Sequence, residues 1–155
     1  MADTRYTWDD SMSETRFAFE HDSKGAEYDL WKRGTACGSD DLLTTVTDYC
    51  TFAVETMKGS LLSPAVYKDM IRPQALVKGD NFFGLGWLII NNLSHEEFAM
   101  VHSGSDQGVN TLVLLLPKSK RGLVVFTNGD NGRDIYQRIV LQAFDTGEEI
   151  WNRIK

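Results

Sequence analysis

Two apolar runs limit what this chain can fold into. Residues 109–117 read Val-Asn-Thr-Leu-Val-Leu-Leu-Leu-Pro and residues 122–128 read Gly-Leu-Val-Val-Phe-Thr-Asn, with only Lys118-Ser119-Lys120-Arg121 between them. A short polar link between two β-forming runs is the pattern of an antiparallel hairpin. Val113 to Leu116 are consecutively apolar. A strand without polar alternation is covered on both faces, so layers on each side of a sheet are predicted.

Two further segments join that hairpin. Residues 82–90 (Phe-Phe-Gly-Leu-Gly-Trp-Leu-Ile-Ile) are rich in β-formers but interrupted by Gly84 and Gly86, and residues 97–102 follow. Glycine inside a strand marks a bulge or a close backbone approach. The expected sheet is therefore a three- to four-stranded antiparallel meander.

Helical signals flank it. Thr44 or Thr45 caps a helix whose apolar positions Val46, Tyr49, Cys50, Ala53, Val54 and Met57 recur at helical spacing, with Asp48 in its first turn and Gly59 as its stop. Cys50 on the apolar side reads as a small core hydrophobe. Ser63-Pro64 opens a second helix that must end before Pro73. A third is predicted over 134–145, with Ile135, Ile139, Val140, Ala143 and Phe144 as its buried stripe and Gly147 as its end. The tail 148–155 carries Ile150, Trp151 and Ile154 at helical spacing and adds another turn or two. Residues 1–35 show neither period and read as an extended, partly packed arm with a short hairpin near Asp22-Ser23-Lys24-Gly25. The class is α+β, with helices packed on the meander and the whole of 1–155 in a single domain.

Composition narrows the function classes. A chain of 155 residues, 42% hydrophobic and 25% charged, has the makings of a globular core and not of a disordered or low-complexity segment. Its net charge of −6, with Lys and Arg scattered, lacks the basic stripe that phosphate neutralisation needs, so no nucleic-acid partner is expected. No apolar run approaches the roughly 18 residues of a membrane span. The N-terminus has no apolar core of a signal peptide. Two cysteines, Cys37 and Cys50, make neither a disulfide framework nor a metal site. The compartment stays open.

The candidate chemistry is at His102-Ser103-Gly104-Ser105, followed by Gly108. It is read as the end of a strand running into a small glycine turn, whose free N–H groups suit an oxyanion hole. The His102 imidazole can donate to a substrate carboxylate or move a proton near neutral pH. Adjacent strand residues face opposite ways, so His102 and Ser103 are a poor nucleophile–base pair. His21 and His95 lie in polar stretches and are read as solvated, and Asp40-Asp41 and Glu96-Glu97 as surface charge. Gly84-Leu85-Gly86 is read as strand packing and not as phosphate binding.

The order of four stretches resembles the C-terminal part of the serine β-lactamase-like superfamily, which includes class C β-lactamases, penicillin-binding proteins, D-aminopeptidases and esterases. Ala36-Cys-Gly-Ser-Asp-Asp-Leu-Leu-Thr-Thr-Val-Thr-Asp-Tyr-Cys-Thr-Phe, Leu61-Leu-Ser-Pro with Met70, and Phe83-Gly-Leu-Gly-Trp carry the first three likenesses. His102-Ser-Gly-Ser-Asp-Gln-Gly and Leu123-Val-Val-Phe-Thr-Asn-Gly-Asp-Asn-Gly carry the last. The likeness runs over about 1–144, and even Met1-Ala-Asp-Thr-Arg-Tyr resembles a mid-protein segment.

By that resemblance, His102, Ser103 and Gly104 match the third active-site motif (Lys-Thr-Gly or His-x-Gly). The Ser105 backbone N–H matches the oxyanion donor of that strand, and Asn128 stands at the end of the last strand near the pocket rim. The sequence has no G-x-G-x-x-G, no Walker loop and no metal-ligand cluster, so no cofactor and no metal are expected. The resemblance implies acyl-enzyme hydrolysis of an ester, amide or β-lactam.

The chain departs from the pattern at the nucleophile. None of its eight lysines has serine three residues before it, and no tyrosine has asparagine two residues after it, so Ser-x-x-Lys and Tyr-x-Asn are both absent. The expectation is an incomplete C-terminal fragment, inactive alone, that meets a small acyl substrate only together with the missing N-terminal part. The alternative is a non-catalytic binding or assembly module derived from the same fold. A fragment leaves the strand 122–128 unpaired, and an open apolar edge invites self-association.

Overall fold

The computed structural model describes residues 1–9 and 11–155. Six strands form one antiparallel sheet in sequence order, β1 (Ala75–Lys78), β2 (Asn81–Phe83), β3 (Leu88–Ile90), β4 (Ala99–Asp106), β5 (Val109–Leu116) and β6 (Arg121–Thr127). The meander is thus as expected in kind but has six strands where three or four were read. The difference lies at 75–90. The segment 82–90 is not one strand but a hairpin, with Phe83 opposite Leu88 and the chain reversing through Gly84–Trp87. Gly86 takes φ +79, and a Cβ on Gly84 would run into the Met70 carbonyl and Ile89. Both glycines are therefore required by the turn and by its close approach to the preceding helix. The strand β1 shows no buried position at all, so hydrophobic alternation gave no sign of it.

Helices cover both faces. On one lie α1 (Val46–Lys58) and α2 (Pro64–Ile71), and on the other α3 (Gly132–Ala143) and α4 (Gly147–Ile154). The caps are those the sequence signals. The Thr45 hydroxyl accepts the Asp48 N–H at 3.1 Å, Gly59 closes α1 in the left-handed conformation (φ 66), and Ser63 caps α2 ahead of Pro64. Gly147 does not end α3 but starts α4, tucked against the Val140 carbonyl. Cys50 is half-buried in α1, and Cys37 is exposed.

The apolar run of β5 follows from this layering. Leu112, Leu114 and Leu116 pack with Val101, Val125, Val140, Ile150 and Trp151 on the α3/α4 side. Val113 and Leu115 pack with Ile89, Met100, Trp87 and Ala53 on the α1 side. A strand between two layers has no solvent face to mark with polar residues.

The N-terminal arm meets the rest of the chain at separate points, with Arg5 bridging to Leu43 and His21 to Gly129. Its turn at Asp22 is built, with the Asp22 carboxylate accepting the Lys24 and Ala26 N–H groups at 2.8 Å. His21 is half-buried rather than solvated and bridges to Glu27 and Gly129. Two further acids are structural and not surface charge. Asp41 is buried, accepts the Cys37 N–H at 2.6 Å and pairs with Arg33 at 3.0 Å. Glu97 is 6% exposed and holds the β5–β6 turn, accepting the Lys118 and Ser119 N–H groups.

Candidate functional site

His102, Ser103, Gly104 and Ser105 do not end a strand. They lie inside β4, each paired with β5 from His102 opposite Val113 to Ser105 opposite Asn110. The turn comes later, at Gln107 and Gly108, where Gly108 has φ +68. Free backbone groups nevertheless exist, for a different reason. β3 pairs with β4 only from Ala99 to Val101 and then stops. From residue 102 to 106, β4 therefore has a neighbour on one side only. In an antiparallel strand, alternate N–H and C=O groups point to opposite sides, so this stretch presents unpaired groups along its open edge.

The strand period sorts the side chains. Met100 belongs to the cluster under α1 and Val101 to the cluster under α3 and α4. His102 and Gly104 thus share the α1 side, and Ser103 and Ser105 the α3/α4 side. The His102 ring meets the buried Trp87 indole edge-on, with centroids 6.0 Å apart. His102, Ser103 and Ser105 are all exposed.

This open edge lines a cleft of about 500 Å³. The opposite wall was not singled out in the sequence. It consists of Phe83 and Leu88, a cross-strand pair, together with Arg133 and Tyr136 from α3 and Trp151 and Ile154 from α4. Arg133 stands one residue past the start of α3, its guanidinium carbon 5.8 Å from the Trp151 ring centroid. The signals for these residues were present only as packing signals, since Trp151 and Ile154 read as the apolar stripe of a tail helix.

Asn128 is not part of this cleft. It follows β6, and its amide donates to the Phe19 carbonyl at 2.8 Å. It lines a separate depression with His21, Gly129 and Gly132, two strands away from Ser105. Asn128 stands at the end of the last strand as expected, but away from the rim of this cleft: the arm claims its amide, and β5 stands between it and the His102 motif. Among the described residues no set of His, Cys, Asp and Glu side chains is grouped to hold a metal ion. No helix is long and apolar enough to cross a membrane.

What the edge can do follows from its geometry. Backbone N–H groups held rigid by β5 along one side of a concave site can stabilise negative charge on a carbonyl oxygen. Beside them stand an imidazole, two hydroxyls and a guanidinium. No nucleophile paired with a base is seen among them.

Comparisons with known proteins agree with this architecture. A family model described as Beta-lactamase matches residues 1–144. No curated protein matches the chain. Among solved structures, a penicillin binding protein from Bacillus halodurans is similar with a TM-score of 0.72 at 20% identity, over 91% of this chain and 44% of that one. A D-amino acid amidase from Ochrobactrum anthropi SV3, solved with D-phenylalanine, gives a TM-score of 0.62 at 17% identity, over 83% of this chain and 43% of that one. A D-stereospecific amidohydrolase from a Streptomyces species gives 0.60 at 17%, over 83% and 40%. The shared property is the fold, and this chain spans less than half the length of each of these structures.

Proposed function

The chain belongs to the beta-lactamase family, and from that premise we propose that it supplies the His-Ser-Gly wall of a serine acyl-hydrolase site. The observation that carries this reading is the stretch 102–106 of β4, which outruns β3 and borders the cleft with an unpaired edge. In this reading the Ser105 N–H donates to the oxyanion of the tetrahedral intermediate. The Ser103 hydroxyl and the His102 imidazole orient the substrate from the two sides of the strand. Gly104 leaves room between them for the acyl group.

Neither Ser-x-x-Lys nor Tyr-x-Asn occurs within these 155 residues, so in this reading the nucleophilic serine, its lysine and the second base are supplied by another segment. That serine attacks the acyl carbonyl, the leaving group departs with a proton, and water then releases the acid from the acyl-enzyme. The names of the similar structures point the same way. Penicillin binding and amide hydrolysis both act at an acyl carbonyl, which supports an ester, amide or β-lactam as the electrophile.

The test reads the coding DNA immediately upstream of Met1 and assays both forms with a p-nitrophenyl ester and a chromogenic β-lactam. The expected result is an in-frame Ser-x-x-Lys and Tyr-x-Asn, turnover by the longer polypeptide, and none by the 155-residue chain. A true start at Met1, or turnover by the short chain that His102→Ala abolishes, overturns the reading.

A further inference from the structure

The connection from β6 to α3 carries Asn-Gly twice, as Asn128-Gly129 and Asn131-Gly132. The side-chain amide of asparagine is chemically labile, and it is most open to attack by the next backbone nitrogen where that residue is glycine and no Cβ restricts the chain. The two steps stand in different surroundings. β6 ends at Thr127 and α3 begins at Gly132, so Asn128-Gly129 lies outside both elements. Asn128 is exposed, and a Cβ on Gly129 would meet nothing nearer than the His21 carbonyl at 3.8 Å. Asn131-Gly132 is enclosed. Gly132 is buried, its N–H donates to the Gly129 carbonyl at 3.0 Å, and a Cβ there would strike Thr127 and Asn110.

The same connection fastens the N-terminal arm. The Asn128 amide donates to the Phe19 carbonyl at 2.8 Å, the Asp130 N–H to the His21 carbonyl at 3.1 Å, and the Asn131 amide to the Ser23 carbonyl at 2.9 Å. The Tyr28 hydroxyl donates to the Asp130 carboxylate at 3.0 Å. A change at Asn128 therefore acts on how residues 19–28 are held.

We propose that Asn128 is a site of self-modification, and that its conversion to aspartate or isoaspartate releases the arm. The Gly129 nitrogen bonds to the Asn128 Cγ, the Cγ–Nδ2 bond breaks, and the amide nitrogen leaves as ammonia, taking the Gly129 proton. Water then opens the cyclic imide. Opening at the side-chain carbonyl gives aspartate, and opening at the backbone carbonyl gives isoaspartate. The departing nitrogen is the donor that holds Phe19. A carboxylate in its place has only acceptors to offer that carbonyl. Isoaspartate also lengthens the backbone just ahead of Asp130. The inference stands apart from the hydrolase reading.

The test ages the whole chain in warm, mildly alkaline buffer. Peptide mapping by mass spectrometry and labelling by an isoaspartyl methyltransferase locate the product, and limited trypsin digestion reads cleavage at Lys24, which is exposed in the arm's turn. Asn128 should convert severalfold faster than Asn131, and cleavage at Lys24 should rise in step, because a segment that loses its anchors opens to protease. Gly129→Ala has room for its methyl, so the fresh variant should resist trypsin as the parent does and should age severalfold more slowly. Fresh Asn128→Asp, with the donor already lost, should be cleaved at Lys24 faster than the fresh parent. Conversion of Asn131 first or of neither residue, equal ageing of Gly129→Ala, or an Asn128→Asp chain as resistant as the parent overturns the proposal.

Discussion

The Trp87 indole packs edge-on against the His102 imidazole, with ring centroids 6.0 Å apart. The two residues differ in burial. Trp87 is 6% exposed and sits in the cluster under α1, whereas His102 is exposed toward the cleft. Removing the tryptophan empties a core position, so Trp87→Ala should cost about 3–5 kcal/mol. Removing the histidine loses only the aromatic pair, about 0.5–1.5 kcal/mol. Urea unfolding of both variants measures the difference. Equal losses would mean that His102 is a core residue and not a cleft residue.

Glu97 governs the acid sensitivity of the β5–β6 turn. Burial pushes its carboxyl pKa up, but the hydrogen bonds from Ser119, from the Phe98 N–H and from the Lys118 N–H outweigh it and hold the pKa below the ordinary glutamate value. A depressed folded pKa stabilises the fold above the unfolded value of about 4.3 and loses that contribution as pH falls through the folded value. Glu97→Gln should therefore cost about 1–3 kcal/mol at neutral pH, and the gap to the parent chain should close in acid. Denaturation curves at neutral pH and in strong acid check this. A gap that stays constant across that range refutes the role.

The helices and the β5–β6 hairpin were legible because their signals are local. Thr45, Gly59 and Ser63-Pro64 cap what they announce, and the apolar run of β5 reports its two covering layers. What escaped depends on pairing. His102–Ser105 looked like a strand end because Gly104 reads as a turn, yet β5 continues opposite it to Val109. The open edge there comes from where β3 stops, which no residue of β4 encodes. Glu97 looked solvated beside Glu96, but the folded hairpin brings the Lys118 and Ser119 N–H groups to it from 21 and 22 residues away. Arg133 was invisible as a site residue because its partners in the cleft lie on β4 and α4.

Two glycines separate packing from access. A Cβ on Gly132 would lie 2.8 Å from both the Asn110 and Thr127 Cβ atoms, at the point where α3 meets the sheet. Those neighbours are tied down, since the Asn110 amide donates to the Gly129 and Asp130 carbonyls at 3.1 and 3.2 Å. Gly132→Ala must displace α3 and should cost about 1–3 kcal/mol. A Cβ on Gly104 meets only the Thr111 hydroxyl, at 3.1 Å. Gly104→Ala also relieves the entropy cost of a strand glycine, so its stability should stay within about 1 kcal/mol of the parent. Chemical denaturation with an unchanged slope tests both. A Gly104→Ala chain that unfolds far more readily would show that the position is closed.

The sheet ends at β6, which pairs with β5 and with no strand on its other side among the described residues. The arm bridges to Gly129, just past the strand, and leaves Arg121–Thr127 uncovered along that edge. The side chains of this edge are not at fault: Leu123 and Val125 pack toward α3 and α4, and Val124 toward α1. What is open is a row of backbone donors and acceptors over a seven-residue strand. Such an edge pairs with any strand that reaches it unless charge, proline or a bulge intervenes, and within 122–127 none does. The isolated chain should therefore associate as its concentration rises. Light scattering across a dilution series should show a growing mass, and the outward N–H groups of 121–127 should gain protection from hydrogen exchange in parallel. A monomeric mass at every concentration, with those amides exchanging freely, would show that the edge is protected by something other than pairing.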